Sequence, residues 1–175
     1  MKTKTQSSKG AGIADESLEA VFAKNLTEVY HAQKQLGDLY AEMSTAAQNP
    51  DLKKAFDGQV QNCSLQISRI EKCFEMLELK PGNGYADVVS GLVESAENVI
   101  SDFSEGPVRD AALIAAAQTI EHFGISTYGT LRTIATLLGR VQCAALIEEN
   151  KDEEAQTDEA LTRLAVNINQ SALNG

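Results

Sequence analysis

Thr119-Ile120-Glu121-His122-Phe123-Gly124-Ile125-Ser126-Thr127-Tyr128-Gly129-Thr130-Leu131 is the stretch that decides the fold, because it lies midway along a long helical pattern. Its seam positions recur at gaps of four and three, as in a bundled helix: Ala117, Glu121, Gly124, Tyr128, Leu131, Ala135 and Leu138. Glu121 therefore sits on a stripe that is otherwise small or apolar. A carboxyl group that faces a bundle core has to be paired, protonated or bound to a metal.

Similar helical patterns cover most of the remaining chain. We predict long helices over residues 17–47, 50–79, 107–138 and 141–171, and a shorter helix over 85–103. The short connections after the first and fourth helices predict antiparallel hairpins, whereas residues 80–106 are long enough to cross the whole bundle. The predicted fold is all-α: a ferritin-like four-helix bundle with one long crossover that carries the fifth, shorter helix.

The domain organisation follows from composition along the chain. Residues 1–14 are rich in Lys, Ser, Thr and Gly and are predicted to form a flexible tail. Residues 15–172 form the predicted bundle, a single domain. Asn49-Pro50-Asp51 and Pro81-Gly82-Asn83-Gly84 have the turn residues expected between helices, and Gly139 is a natural C-terminal cap.

Charge and cysteine content exclude several classes of protein. The net charge of −10 makes nucleic acid and anionic membranes unexpected partners. No apolar run approaches the roughly 20 residues that span a bilayer, and the basic N-terminus lacks the apolar stretch of a secretory signal. Three cysteines without CxxC spacing are typical of small buried side chains in a reducing compartment, so we expect a cytoplasmic protein.

A polar group interrupts the seam of each long helix near its middle. These interruptions are Gln33 on the first helix, Gln59 with Asn62 on the second, Glu121 on the fourth, and Glu153 with Glu149 on the fifth. Because the four interruptions lie at similar depths, we expect them to meet in one polar layer.

The chemistry of this predicted layer is mostly that of amides. Di-metal carboxylate bundles take a Glu from two helices and a Glu-x-x-His from the other two, but here the first two helices offer only amides. His122 points about 100° away from its neighbour Glu121, and His31 lies on a different face from Gln33.

We therefore predict a hydrogen-bonded network in which Gln33 and Gln59 donate to Glu121 and Glu153. A single weakly held ion and a working di-metal site are the alternatives. No catalytic residue, cofactor or bound metal is predicted.

Several segments of the chain closely resemble the YciF-like family of bacterial ferritin-like proteins. They are Pro107-Val108-Arg109-Asp110-Ala111-Ala112-Leu113 with Glu121-His122, Tyr128-Gly129-Thr130-Leu131, Tyr30-His31-Ala32-Gln33-Lys34-Gln35-Leu36 and Asp152-Glu153-Glu154-Ala155-Gln156-Thr157-Asp158. The resemblance spans about residues 18–164. It implies a homodimer, a link to bacterial stress response, and a family with no settled biochemical activity. Apolar Val60, Ile67 and Phe74 are compatible with a second buried face, or with packing under the crossover helix.

The resemblance also implies a di-metal site, and this chain departs from the family pattern at that site. Tyr30-His31-Ala32-Gln33 stands where the family has Tyr-x-Ala-Glu, and Gln59-Val60-Gln61-Asn62-Cys63 where it has His-x-x-Glu-Thr. Gly124 replaces a Glu that usually follows the Glu-His pair, whereas Glu121, His122, Glu149 and Glu153 are retained.

We therefore expect a degenerate site and a non-enzymatic protein with a structural or interaction role in stress response. The alternative is a di-iron or di-manganese protein with oxidase, peroxidase or iron-storage activity.

Overall fold

The computed structural model describes residues 16–84 and 86–174, and these residues fold into helices and loops without a strand. The helices are α1 (Leu18–Ala46), α2 (Pro50–Met76), α3 (Asp87–Asp102), α4 (Pro107–Leu137) and α5 (Val141–Asn174). The all-α prediction is confirmed, and so is the short helix within the crossover. The predicted tail over residues 1–14 lies outside the described residues. Within the described ranges, no helix is both long and apolar enough to cross a membrane.

The four long helices form the expected bundle of two hairpins. α1 packs against α2 and α4 against α5, while α2 also contacts α5 and α1 contacts α4. α3 lies across the side formed by α1 and α4. The N-terminal ends of α2 and α4 lie at the same end of the bundle, because Asp110 in α4 binds the turn that precedes α2. α2 and α4 therefore run parallel, as the long crossover predicts.

Local sequence explains where the helices begin and end. The Asn49 side chain caps α2 by accepting from the backbone N–H groups of Asp51 and Leu52. Gly139 adopts a φ of 70° after α4, which suits glycine and ends the helix where the sequence predicts. α2 ends at Met76 rather than near residue 79, because Glu78 turns the chain with a φ of 55°.

Two buried charged residues at the start of α4 hold the bundle together at one end. Asp110 accepts hydrogen bonds from the backbone N–H groups of Gln48 and Asn49, both at 2.8 Å. Arg109 Nη2 donates to the Ala46 carbonyl oxygen at 2.6 Å, at the C-terminal end of α1. We call this pair the turn clamp. It gives the Arg-Asp sequence a structural function, since it satisfies backbone groups that a helix end leaves without partners.

The core consists of two apolar clusters at different heights in the bundle. The cluster near the α1–α2 turn includes Leu36, Met43, Leu52, Phe56, Leu113 and Leu161. The cluster near the opposite end includes Phe22, Leu26, Ile70, Leu131 and Ile147. Buried polar side chains lie between these clusters: Gln33, Gln66, Glu121, Asn150 and Glu154. The fold therefore positions a polar layer at mid-height, as the interrupted seams predict.

Candidate functional site

Glu121 is the most deeply buried acid of the polar layer. Its side chain on α4 is fully inaccessible to solvent, and its Oε1 accepts a hydrogen bond from the Tyr40 hydroxyl at 2.5 Å. Burial raises the pKa of Tyr40 well above its usual value, so Tyr40 keeps its proton and remains a donor. Glu121 Oε2 is also buried and receives no hydrogen bond from the described residues. An ionised Glu121 would therefore leave one oxygen without a partner.

The second acid of the core is Glu154 on α5, whose residue is 5% exposed. Its carboxyl group lies over Gly124, and a Cβ atom at Gly124 would come within 2.9 Å of Glu154 Cδ. Gln33 Nε2 donates to Glu154 Oε1 at 3.4 Å from α1. The missing side chain at Gly124 thus provides the space in which Glu154 approaches Glu121.

Burial favours a retained proton on the two carboxyl groups of the core. Burial is the main cause that raises the pKa of Glu121 well above its usual range, and the negative charge of Glu154 raises it further. Burial also raises the pKa of Glu154, although hydrogen bonds from Glu121 and Gln33 oppose this shift. Two adjacent carboxylates in an apolar setting cannot both ionise easily. A proton kept on Glu121 would let its Oε2, which has no hydrogen-bond partner among the described residues, donate to Glu154.

Glu153 and Glu149 lie outside this core, at the edge where α2 meets α5. Arg69 of α2 donates to Glu153 through Nη2 at 2.7 Å and pairs with Glu149 through Nε at 3.0 Å. The side chain of Glu149 is 58% exposed. The structure corrects the register expected for α5, because its buried positions include Ile147 and Glu154. Glu153, one residue earlier, points towards Arg69.

The amides of α2 have other partners than those expected from sequence. Gln59 donates to the Thr157 hydroxyl rather than to an acid. Gln66 accepts from the Tyr128 hydroxyl at 2.8 Å and donates to Glu153 at 3.4 Å. Asn62 is half-buried, and its side chain makes no hydrogen bond with the described residues. Of the polar groups predicted for this layer, only two belong to it among the described residues. Glu121 is one member of the carboxyl pair, and Gln33 contacts the other member, Glu154.

Both histidines lie away from the carboxyl pair, as their helical positions predict. His31 Nε2 donates to the Gly82 carbonyl oxygen at 2.8 Å, on the outside of α1. His122 has a side chain that is 68% exposed and lies 3.6 Å from an Asp158 oxygen. Neither imidazole faces Glu121, so the core layer contains no nitrogen ligand of that kind.

The donor set of this layer does not fit a pair of metal ions. It provides two carboxyl groups, Glu121 and Glu154, together with amides and tyrosine hydroxyls. Two divalent ions bring four positive charges, and hard or borderline ions favour carboxylate and imidazole over neutral amides. In residues 16–84 and 86–174, no three His, Cys, Asp or Glu side chains are grouped so that they could hold an ion.

Sequence reasoning missed three residues that define the layer: Tyr40, Arg69 and Glu154. The apolar repeat of α1 predicts Tyr40 as a core position, but the repeat does not reveal that its hydroxyl group reaches Glu121. A glycine on the α4 stripe was the available signal for Glu154, because a small residue there leaves room for a long side chain opposite. Nothing in the pattern of α2 marked Arg69, which reaches the α5 acids from a half-buried position.

Comparison with known proteins gives a consistent set of relatives. The family model described as "Domain of unknown function (DUF892)" matches residues 17–174. The protein YciF from Escherichia coli is 41% identical over 160 residues, which cover 90% of this chain and 96% of that protein. The crystal structure of the E. coli stress protein YciF has a TM-score of 0.86, with 89% of this chain and 98% of that chain covered at 40% identity.

Two further solved structures extend this comparison. YcfI from Rhodopseudomonas palustris is 28% identical, with a TM-score of 0.81 over 84% of this chain and 94% of that chain. Symerythrin from Cyanophora paradoxa is 15% identical, with a TM-score of 0.65 over 96% of this chain and 97% of that chain. At this level of identity, the symerythrin match shows a shared fold alone.

Proposed function

The chain belongs to the DUF892 family, and from this premise we propose that it is a YciF-type bundle protein with a degenerate di-metal site and no catalytic activity. Its role is structural or lies in interactions with other molecules, in the setting of bacterial stress response. The solved E. coli relative is named a stress protein, and the R. palustris relative carries the provisional description of a structural protein. These names support the proposal, as does the chemistry of the polar layer.

The contact between Glu121 and Glu154 is the single observation that carries the proposal. A di-metal bundle uses its buried acids as ionised ligands. Here the buried acids have neutral partners, Tyr40 and Gln33, and burial raises the pKa of both acids, which favours a retained proton. A retained proton and an amide group thus compensate the negative charge of the buried acids, as metal ions do in a di-metal site. Such a layer supports a packed bundle without requiring redox chemistry.

The test is metal binding by protein that has been purified without a chelator. We expect elemental analysis after gel filtration to find fewer than two irons or manganese ions per chain. Added Mn(II) or Fe(II) should leave the melting temperature of the parent almost unchanged, because an ion that does not bind cannot stabilise. About two metal ions per chain, or iron oxidation faster than in buffer, would favour the oxidase, peroxidase or iron-storage alternative.

A matched positive control is Gln33→Glu, which would add a third carboxyl group beside Glu154. Gln33 is 2% exposed and already contacts Glu154, so the backbone needs no rearrangement. We expect this variant to be less stable than the parent without metal and to gain stability when Mn(II) is added. If metal stabilises the parent as much as the variant, the proposed degenerate site is wrong.

We also propose a cytoplasmic homodimer, as the family resemblance implies. The three cysteines are all free thiols, which is consistent with a reducing compartment. Phe74 is buried against Tyr30, and Val60 and Ile67 are half-buried against the protein's own core. A dimer interface would therefore use other apolar side chains, such as the exposed Leu65 of α2. Light scattering tests the proposal, since a monomer mass at micromolar concentration would contradict it.

A further inference from the structure

Two of the three cysteines meet where α2 packs against α5. Cys73 and Cys143 are 0% and 2% exposed, and both are free thiols. Cys73 Sγ lies 3.9 Å from the Cys143 carbonyl oxygen, and Cys143 Sγ lies 4.0 Å from the Cys73 carbonyl oxygen. These reciprocal contacts place the two side chains next to each other. Both sulfur atoms therefore lie where the two facing helices meet.

The two buried thiols differ in what lies beside them. Cys143 lies in the first turn of α5 and lines a cavity of about 320 Å³ together with Met76, Gly139 and Arg140. Cys73 is not among the residues that line this cavity, so a small peroxide that enters it would meet Cys143 first. Cys73 lies behind Cys143, in the last turn of α2. Burial raises the pKa of the Cys73 thiol, and the neighbouring Cys143 raises it further.

We propose that Cys73 and Cys143 form a redox-responsive pair, in which a small hydroperoxide oxidises Cys143 and Cys73 then closes a disulfide between α2 and α5. This modification site is independent of the carboxyl pair and of the proposed loss of metal binding.

The proposed chemistry balances in two steps. The Cys143 thiolate attacks one peroxide oxygen, the O–O bond breaks, and the leaving hydroxide takes up a proton to become water. Cys143 is then a sulfenic acid. In the second step Cys73 loses its proton and its sulfur attacks the Cys143 sulfur, so the S–O bond breaks and a second water leaves. The two cysteines together lose two electrons, and hydrogen peroxide is reduced to two molecules of water.

Cys63 provides an internal control on the same helix as Cys73. It is 4% exposed, and its Cβ lies 3.6 Å from the place where a Cβ at Gly37 would be, so Cys63 packs beside a glycine of α1. Burial raises the pKa of Cys63, and the charge of Glu154 raises it further. We therefore expect Cys63 to remain a thiol under conditions that oxidise the other two.

The first measurement is a thiol count on the full chain after mild treatment with hydrogen peroxide and denaturation. We expect the parent to lose two of its three thiols and a peptide map to show the Cys73–Cys143 linkage. In Cys63→Ser both remaining thiols should disappear, whereas Cys73→Ser should accumulate a sulfenic acid at Cys143 that dimedone traps. Because the peptide map uses the parent protein, the result does not depend on the folding of a variant.

A second measurement is the melting temperature of oxidised against reduced protein. The two cysteines are 70 residues apart, so closing the disulfide restricts a long loop in the unfolded chain. We expect a rise of about 5–10 °C, which dithiothreitol reverses. Persistence of all three thiols, oxidation of Cys63 before the pair, or disulfides only between different chains would each overturn the proposal.

Discussion

Glu153 and Glu154 are neighbours on α5, yet their carboxyl groups have different kinds of partner. Glu153 has a side chain that is 24% exposed and takes two N–H groups from Arg69. Glu154 faces the core, where it meets Glu121 and an amide instead of a cation. Successive residues on a helix point about 100° apart, which is enough to separate the edge of a bundle from its centre.

The difference shows what decides between an ion pair and a retained proton. At the edge, the long Arg69 side chain keeps its charged group partly hydrated, with 18% of the side chain exposed. In the centre, any cation would lose its hydration as well, and the described side chains that donate to Glu154 and Glu121 are an amide and a hydroxyl group. A proton neutralises the charge without needing space. The acids of the α2–α5 edge thus form ion pairs with Arg69, whereas burial in the core layer beside it favours a retained proton.

The largest expected effect is on the pH dependence of stability, and Glu121→Gln tests it. The unfolded chain releases the Glu121 proton near the ordinary carboxyl pKa of 4.5, but the folded protein keeps it to a higher pH. The folded state then binds more protons, so stability falls as pH rises, by up to about 1.4 kcal/mol for each pH unit. Urea unfolding of the parent and of Glu121→Gln between about pH 5 and 8 measures this slope.

We expect the slope to be shallower in Glu121→Gln, because an amide donates to Glu154 without titrating. The variant should also be the more stable protein at the upper end of this pH range. Equal slopes for parent and variant would mean that both carboxyl groups are ionised in the folded state, and the contrast with Glu153 would disappear.

The next effect in size concerns the ionised edge, which Arg69→Met tests. This change keeps most of the side-chain volume but removes the donors to Glu153 and to Asn150 Oδ1. We expect a loss of about 2 kcal/mol in the free energy of unfolding, because partly buried acceptors lose charged partners. The control is Arg163→Met, whose 70%-exposed side chain pairs with exposed Glu159 and should cause no measurable change. Equal urea midpoints for the two variants would contradict the prediction.

A smaller effect tests the space around Glu154 through two glycines of the same helix. A Cβ at Gly124 meets Glu154 atoms at 2.9–3.0 Å, whereas a Cβ at Gly129 meets nothing within 4 Å. Alanine favours a helix over glycine by about 1 kcal/mol, so Gly129→Ala should stabilise. Gly124→Ala should be less stable than Gly129→Ala by about 1–2 kcal/mol, because the Glu154 carboxyl must move. Thermal unfolding of both variants gives this difference directly.

The smallest effect is expected for Glu149→Gln. Glu149 contacts Arg69, but its side chain is 58% exposed, so solvent screens the pair. We expect a change of about 0.5 kcal/mol or less in the free energy of unfolding. Unfolding at low and at high salt provides the check. A loss as large as that of Arg69→Met would show that Glu149, rather than Glu153, is the main partner of the arginine.

Much of the fold could be predicted because the four long helices keep a regular apolar repeat. The turn residues Asn49-Pro50 and Gly139 also mark helix ends by backbone preferences that do not depend on the rest of the structure. The end of α2 was harder to predict. Glu78 adopts a left-handed conformation there, and its side chain gives no sign of this in the sequence.

The site could be predicted only to the level of a polar layer. On α5 a spacing of seven residues predicts that Leu146 and Glu153 share the seam, but Leu146 is half-buried and the fully buried position is Ile147. That shift of one residue selected Glu153 in place of Glu154. Helical periodicity cannot tell which of several consecutive acids faces the core. The answer depends on the residues that lie opposite them. Here Gly124 faces one acid and Arg69 the other, and neither contact is local in sequence.

The turn clamp has a consequence for the depth at which the core acids meet. Asp110 binds the backbone of Gln48 and Asn49, so α4 cannot slide along the bundle axis without losing both hydrogen bonds. Glu121 follows Asp110 by eleven residues, about 16 Å further along the helix. The clamp thus fixes the position of Glu121 along the bundle axis, so that its carboxyl group lies opposite Tyr40 on α1. A slip of one helical turn, about 5.4 Å, would leave the carboxyl group facing an apolar cluster.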